Sequence, residues 1–204
     1  MKIDQSTTLG QDTSPPRWLG GGWHLLGPYL TKMRGRTSEG PPPVPLHEVF
    51  WSWLGAFGGI GLLALVNHLL LPSADTLLLI GSMGASAVLV FGAPRSPLAQ
   101  PRNLVGGHLL SALIGVLCYQ FLGDLPWLAA PLAVATATAL MHHSRTLHPP
   151  GGATALIAVA GSDRIHALGY LYVLMPVASG ALILLLVALL INNAALRRQY
   201  PEHW

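Results

Sequence analysis

His148-Pro149-Pro150-Gly151-Gly152-Ala153-Thr154-Ala155-Leu156 is the stretch on which the fold turns. Two adjacent prolines fix φ and remove two backbone N–H donors, so the chain enters Pro149 extended. Proline is well suited to a helix start, and Ala153 to Ala160 reads as helix. The stretch therefore predicts an extended arm, a sharp change of direction and a short apolar helix. Its plainest alternative is a loop between two transmembrane helices. A break at membrane depth is tolerated only where the freed backbone groups are buried in protein or line a cavity.

Hydrophobic residues are 51% of the 204-residue chain and charged residues 9%, against roughly 25% charged in soluble domains. So few charges cannot keep the surface of a soluble domain of this size in water, and an integral membrane protein is expected. The net charge of +3 is small and the basic residues are dispersed, which argues against nucleic acid as a partner. Cys118 is the single cysteine and reads as a small buried hydrophobe. The first 17 residues are polar, without the apolar core of a signal peptide.

Outward from the central stretch, Phe50–Leu71, Leu104–Leu122 and Leu168–Ile191 are long enough to span a bilayer by the ~20-residue rule. Thr76–Gly92 is apolar but interrupted by Gly81-Ser82-Met83-Gly84, and Trp127–Met141 is a shorter span. His142–Pro150 reads as the arm and Gly151–Gly161 as the short helix. Residues 1–48 are expected to form a cytoplasmic leader, partly disordered, with Trp18–Leu30 at the membrane surface and Pro41-Pro42-Pro43-Val44-Pro45 as a stiff spacer. Residues 192–204 read as a polar cytoplasmic tail.

A shift of 68 residues lays Gly84-Ala85-Ser86-Ala87 on Gly152-Ala153-Thr154-Ala155, and the order of elements repeats with it. This predicts two transmembrane repeats, 49–122 and 123–191. Four or six crossings are the competing counts. A segment of about eight extended residues at ~3.3 Å and ten helical residues at ~1.5 Å exceeds the ~30 Å hydrocarbon core. Six crossings also place Arg95, Arg102, Arg145, Arg197 and Arg198 on one side with the N-terminal basic residues, leaving Arg164 alone on the other. The positive-inside rule then puts both termini in the cytoplasm. The expected fold is an all-α membrane protein with six membrane segments in two inverted three-segment repeats. Each repeat carries an extended arm and a half-helix broken at midplane.

Such half-helices would point their N-termini at each other, each with a partial positive charge and free N–H donors suited to a small anion. The expected substrate-binding residues are Ser82, Met83, Gly84, Ala85 and Ser86 in the first repeat. In the second they are His148, Pro149, Pro150, Gly151, Gly152, Ala153 and Thr154. Arg145, His108, Arg102 and Asn103 are accessory candidates. His108 and His68 read as histidines inside spans, either hydrogen-bonding between helices or relaying protons. His142, His143 and His148 lack a neighbouring Cys or carboxylate, so no metal and no cofactor is expected. Asp75, Asp124 and Asp163 sit at predicted span ends, which disfavours a cation path. Gly107, Ser111 and Gly115 form a small-residue stripe for close packing, within the bundle or between two protomers of a homodimer.

His148-Pro149-Pro150 with Gly152-Ala153-Thr154-Ala155 resembles the signature of the HPP family of integral membrane proteins. Ser96-Pro97-Leu98-Ala99-Gln100-Pro101-Arg102-Asn103, Gly106-Gly107-His108 and Gly81-Ser82-Met83-Gly84-Ala85-Ser86 are similar to that family as well, over roughly 49–193. The resemblance implies a small-solute transporter. Cyanobacterial and plastid members are associated with nitrite, so a small inorganic anion, nitrite first, is the implied substrate; the expected location is the cell inner membrane. The arm-plus-half-helix plan is also similar to that of sulfate and nucleobase transporters, a likeness of fold alone. Gly84-Ala85-Ser86 with membrane histidines is weakly similar to the rhomboid intramembrane serine proteases, but Ala87 stands where those need glycine. A non-transporting scaffold is the further alternative; transport rather than catalysis is the expectation.

Overall fold

In the computed structural model, residues 30–33, 42–70 and 75–204 are described. Met1–Pro43 and Val44–Trp204 are separate units, and the second carries the architecture. Most of the expected leader lies outside the described residues; 30–33 are helical.

The helices are α1 (Leu46–Leu70), α2 (Asp75–Gly92), α3 (Pro101–Leu122), α4 (Pro126–Ser144), α5 (Pro149–Ala160), α6 (Asp163–Leu168) and α7 (Ser179–Ala194). A 3-10 turn at Pro97–Ala99 precedes α3, and a π turn at Val173–Ala178 precedes α7. Prolines start α3, α4 and α5, where the missing N–H would be unpaired in any helix. Three helical stretches, Leu46–Val66, Pro101–Leu122 and Val173–Ala194, are long and apolar enough to cross a membrane. Pro149–Ala160 and Gly81–Gly92 are shorter apolar helices.

Hydrogen bonds sort the helix ends onto two faces. On one, Ser52 Oγ near the start of α1 donates to Phe91 O at the end of α2. There too Arg102 at the start of α3 donates to Ser144 O at the end of α4. The chain after α7 docks on this same face. On the opposite face Tyr170 donates to Gln120 near the end of α3, and His166 stacks on Tyr119. Helices α1, α2, α3, α4, α5 and α7 thus alternate in direction, and Pro45 and Trp204 emerge on the same face.

The sequence reading of the segments is corrected in three places. The first repeat has no extended arm over 76–80: α2 runs from Asp75 unbroken through Gly81-Ser82-Met83-Gly84 to Gly92. Glycine permits a break but does not force one, and in an apolar surrounding the internal hydrogen-bond ladder is the cheapest way to satisfy the backbone. The second arm is shorter than His142–Pro150. Helix α4 continues to Ser144, Arg145 caps it in the left-handed region at φ 58°, and only Thr146 to His148 are non-helical before α5 starts at Pro149. His142, His143 and Ser144 contain no breaker, whereas the two prolines dictate the second boundary. Pro176 likewise interrupts the last predicted span, with Met175 non-helical beside it.

The segment after Ala194 is docked. The Arg198 side chain is 4% exposed and donates to Glu48 Oε2 at 2.7 Å. It also donates to Glu48 O at 2.8 Å, Ser52 Oγ at 2.9 Å, Asn192 Oδ1 at 3.0 Å and Phe91 O at 3.1 Å. Tyr200 donates to Ala99 O at 2.8 Å, and burial pushes its hydroxyl pKa up, so it remains a donor at neutral pH. Glu202 N donates to Gln100 Oε1 at 2.8 Å. Replacing Arg198 by Ala leaves Glu48 and the carbonyl of Phe91 without their cation. Breaking such a pair costs about 3–5 kcal/mol, so R198A should show a clearly lowered unfolding midpoint in detergent, while R197A, at an exposed position, should not.

Candidate functional site

Ser86 on α2, His108 on α3, and His148 and Thr154 at the start of α5 meet inside the bundle, and all four are fully buried. Ser86 Oγ lies 2.7 Å from His108 Nε2 and 2.8 Å from His148 Nε2. His108 Nδ1 lies 2.7 Å from Thr154 Oγ1. His148 Nδ1 lies 2.9 Å from the carbonyl oxygen of Leu98. The two imidazole centroids are 5.0 Å apart. Tyr172 donates to Thr154 O at 3.1 Å, and Ser86 also approaches Ser82 O at 3.2 Å.

The partners determine where the protons sit. A carbonyl only accepts, so His148 Nδ1 carries a proton toward Leu98 O. A neutral His148 then offers Nε2 as an acceptor, and Ser86 donates to it. Ser86 Oγ accepts in turn from His108 Nε2–H, which leaves His108 Nδ1 to accept from Thr154. The result is one directed chain with both imidazoles neutral: Thr154 to His108 to Ser86 to His148 to Leu98 O. Ser86 has a second acceptor within reach, Ser82 O. Should Ser86 donate there instead, His148 Nε2 must itself donate, and His148 is then an imidazolium.

Glycines bring these groups together. A Cβ on Gly107 would stand 2.6 Å from His148 Cβ and 2.8 Å from Thr146 O; one on Gly151 would stand 2.8 Å from Ser111 Oγ and 3.0 Å from Gly107 O. A Cβ on Gly115 would stand 2.6 Å from Ala155 O. The Gly107, Ser111, Gly115 stripe is therefore covered by α5 within the chain, and it supplies no free face for a second protomer. Small residues also line α4, where Ala129, Ala133 and Ala137 are fully buried against Ala155 and Val159. Asn103 Nδ2 donates to Leu147 O at 2.9 Å and holds the arm against α3.

The expected site residues divide accordingly. Ser82, Ser86, His148 and Thr154 come together, and His108, taken as accessory, is the bridge between Ser86 and Thr154. Arg102 and Asn103 hydrogen-bond the backbone of the α4 end and the arm. Arg145 is exposed as the α4 cap. Met83 turns away, into a cluster with Leu63 and Ala181. Ala85 is exposed and Gly84 half-buried, with nothing within 4 Å of a Cβ built there. His68 is exposed near the end of α1.

The backbone donors expected at two facing half-helices are absent from these positions. Gly84 lies inside a continuous helix. At the start of α5, Pro149 and Pro150 have no N–H, and the N–H of Gly151 is bonded to His148 O at 2.8 Å. The donors available at the site are side chains. Among the described residues, no group of three His, Cys, Asp or Glu side chains is placed to hold a metal ion. Tyr172 and the Leu98 carbonyl are the members that the sequence reading missed: Leu98 lies in the Ser96–Asn103 stretch but contributes only its backbone oxygen, and Tyr172 lies outside the quoted motifs and reaches the site through the fold.

Comparison with known proteins places the chain in a class and then in a family. The class is the polytopic helical membrane protein. Residues 41–201 match the family described as HPP, transmembrane region: the chain belongs to the HPP family of membrane proteins. Two relatives from Dictyostelium discoideum, each named a transmembrane protein, are 45% identical over 179 and 180 residues, 86% of this chain. The chain spans 57% and 63% of their lengths. No solved structure matches.

The glycine contacts predict opposite outcomes for one substitution. Gly107→Ala and Gly151→Ala force α3 and α5 apart and should lower thermal stability in detergent. Gly84→Ala meets open space in a helix and should be neutral or stabilising by up to about 1 kcal/mol. Thermal unfolding followed by tryptophan fluorescence or light scattering distinguishes them.

Proposed function

We propose that this protein is a membrane transporter for a small inorganic anion, with nitrite the first candidate. The observation that carries the reading is the buried Ser86–His108–His148–Thr154 cluster at the crossing of α2, α3 and α5. A cluster of polar side chains inside an apolar bundle is costly and defaults to a functional role in a membrane protein. The buried polar side chains of the described residues include no carboxylate, so the cluster suits an anion better than a cation. Nitrite follows from the resemblance of the signature residues to HPP members associated with it.

The alternation of six helices between two faces supports six crossings in two inverted repeats, α1–α3 and α4–α7. Ser86 and Thr154, equivalent under the 68-residue shift, lie on opposite sides of His108. That is the placement expected of an internal pseudo-twofold relation. Arg95, Arg102, Arg145, Arg197 and Arg198 fall on or near the face where Pro45 and Trp204 emerge. We take this face as cytoplasmic by the positive-inside rule, in the cell inner membrane. On it, a groove of about 710 Å³ is lined by Arg95, Arg197 and Arg198, of which Arg198 is paired with Glu48 and Arg95 with Glu202. In the described conformation the cluster is closed, so passage requires α2, α3 and α5 to part there.

A second reading rests on one specific observation. Ser86 with an imidazole nitrogen at 2.7–2.8 Å has the spacing of a serine–histidine hydrolase pair. Against it, Ser86 sits mid-helix with the following N–H groups inside the α2 ladder, Pro149 and Pro150 supply no oxyanion donors, and the pair is sealed from water.

Uptake into liposomes reconstituted with the pure protein tests both. Nitrite should enter faster than in protein-free vesicles, and Ser86→Ala and Thr154→Val should each reduce uptake at least several-fold in protein that still elutes as a folded species. No anion uptake by folded protein, together with labelling of Ser86 by a fluorophosphonate, would replace the transporter with the hydrolase.

A further inference from the structure

The hydrogen-bond chain has two self-consistent proton counts, and they differ by one. In the neutral arrangement Ser86 donates to His148 Nε2 at 2.8 Å. With one more proton, on His148 Nε2, the Ser86 hydroxyl turns to Ser82 O at 3.2 Å, an acceptor already in place. Apart from the new Nε2–H bond on His148, only hydrogen bonds change, and every polar atom of the chain keeps a partner. His108 is the less suited place for the extra proton: its Nδ1 faces Thr154 Oγ1 at 2.7 Å, and among the hydrogen bonds of the described residues Thr154 Oγ1 has no second acceptor corresponding to Ser82 O for Ser86.

From this switch, and resting on the transport reading above, we infer that the site carries one small monovalent oxyanion together with one proton held on His148. In the protonated state two N–H groups, His148 Nε2–H and His108 Nε2–H, converge on the position of Ser86 Oγ. Rotation of the Ser86 side chain vacates that position, and an anion oxygen that takes it receives both. The proton and the anion enter from the same solution and leave on the other side, so the loaded cluster is neutral overall. Removal of the proton restores the Ser86–His148 bond and expels the anion.

Charge balance sets the substrate class. The titratable side chains at the cluster are His108 from α3, His148 at the head of α5 and Tyr172 from the segment before α7; α2 contributes Ser82 and Ser86, and α4 Met141 through Ser111. Arg102 and Arg145 stand exposed at the outer end of the arm. Among the described residues no Asp, Glu or Lys is buried. One imidazolium therefore has no carboxylate to balance it and is matched by one negative charge. A divalent anion such as sulfate would leave an uncompensated charge in the dry interior, which costs several kcal/mol.

Proteoliposomes separate this inference from the function it rests on. Exchange of isotopically labelled nitrite, with no gradient of any kind, reads transport alone. Net uptake is then measured with the interior alkaline and the potential clamped by potassium and valinomycin, protein-free vesicles giving the passage of nitrous acid. The expected result is an initial rate of pH-driven uptake several-fold above that of protein-free vesicles, with one proton per nitrite by an internal pH dye in this protein-dependent part, indifference to the imposed potential, and no uptake of sulfate. His148→Asn, which keeps an amide donor toward Leu98 O but cannot take up the proton, should lose the pH-driven accumulation. Exchange that is present but follows the potential and ignores the pH gradient would overturn proton coupling while leaving transport in place. So would an H148N protein that still accumulates nitrite down a pH gradient. Absence of exchange in folded wild-type protein would remove the transport reading and this inference together.

Discussion

Helices α3 and α5 touch backbone to backbone at Gly107 and Gly151, and most of what is distinctive here depends on that contact. It brings the arm ending at His148 onto α3 beside His108, the residue next to Gly107, whose stripe Ser111 continues one turn further on. A methyl group at Gly107 would stand 2.6 Å from His148 Cβ and one at Gly151 3.0 Å from Gly107 O, so either forces the two helices apart. The cluster is thus held by the absence of side chains around it as much as by its own four members. The directed order of its hydrogen bonds comes from an end-stop: the Leu98 carbonyl, which only accepts, orients His148 and through it every later link.

The loop that presents Leu98 is itself held. Ser96 caps the 3-10 turn by accepting from Leu98 N. Gln100, fully buried, donates to Pro94 O and Ser96 O. Tyr200 and Glu202 reach the same turn from the far end of the chain. The orientation of an imidazole in the interior is therefore connected, through one carbonyl and one short turn, to the segment that follows α7.

What could be read in the sequence is what local chemistry dictates. Pro149 and Pro150 impose an arm followed by a helix start whatever surrounds them, and that break is found within a few residues of its expected place. The Gly81–Gly84 interruption was read by analogy with it, yet glycine leaves the conformation to the surroundings, and an apolar surrounding favours an unbroken helix. Ser86, His148 and Thr154 were legible because they lie in or next to the signature. His108 reads as accessory because its partners are 22 and 46 residues away in sequence, a distance no motif spans. The docked segment at Arg198 and Tyr200 looked like a solvated tail for a related reason. Polar composition is common to tails and to locks, and only the burial of Arg198 tells them apart.

The Glu48–Arg198 pair has a consequence for biosynthesis. The two residues are 150 positions apart, one at the first turn of α1 and the other beyond α7. Every helix between them is synthesised before they can meet. While the chain is still emerging, Glu48 and the carbonyls at the end of α2 face water rather than a guanidinium, and the turn carrying Leu98 has no Tyr200 to hold it. The bundle is therefore clasped last, by residues that arrive after its final helix. A chain stopped short of residue 198 would hold all seven helices and still lack its clasp.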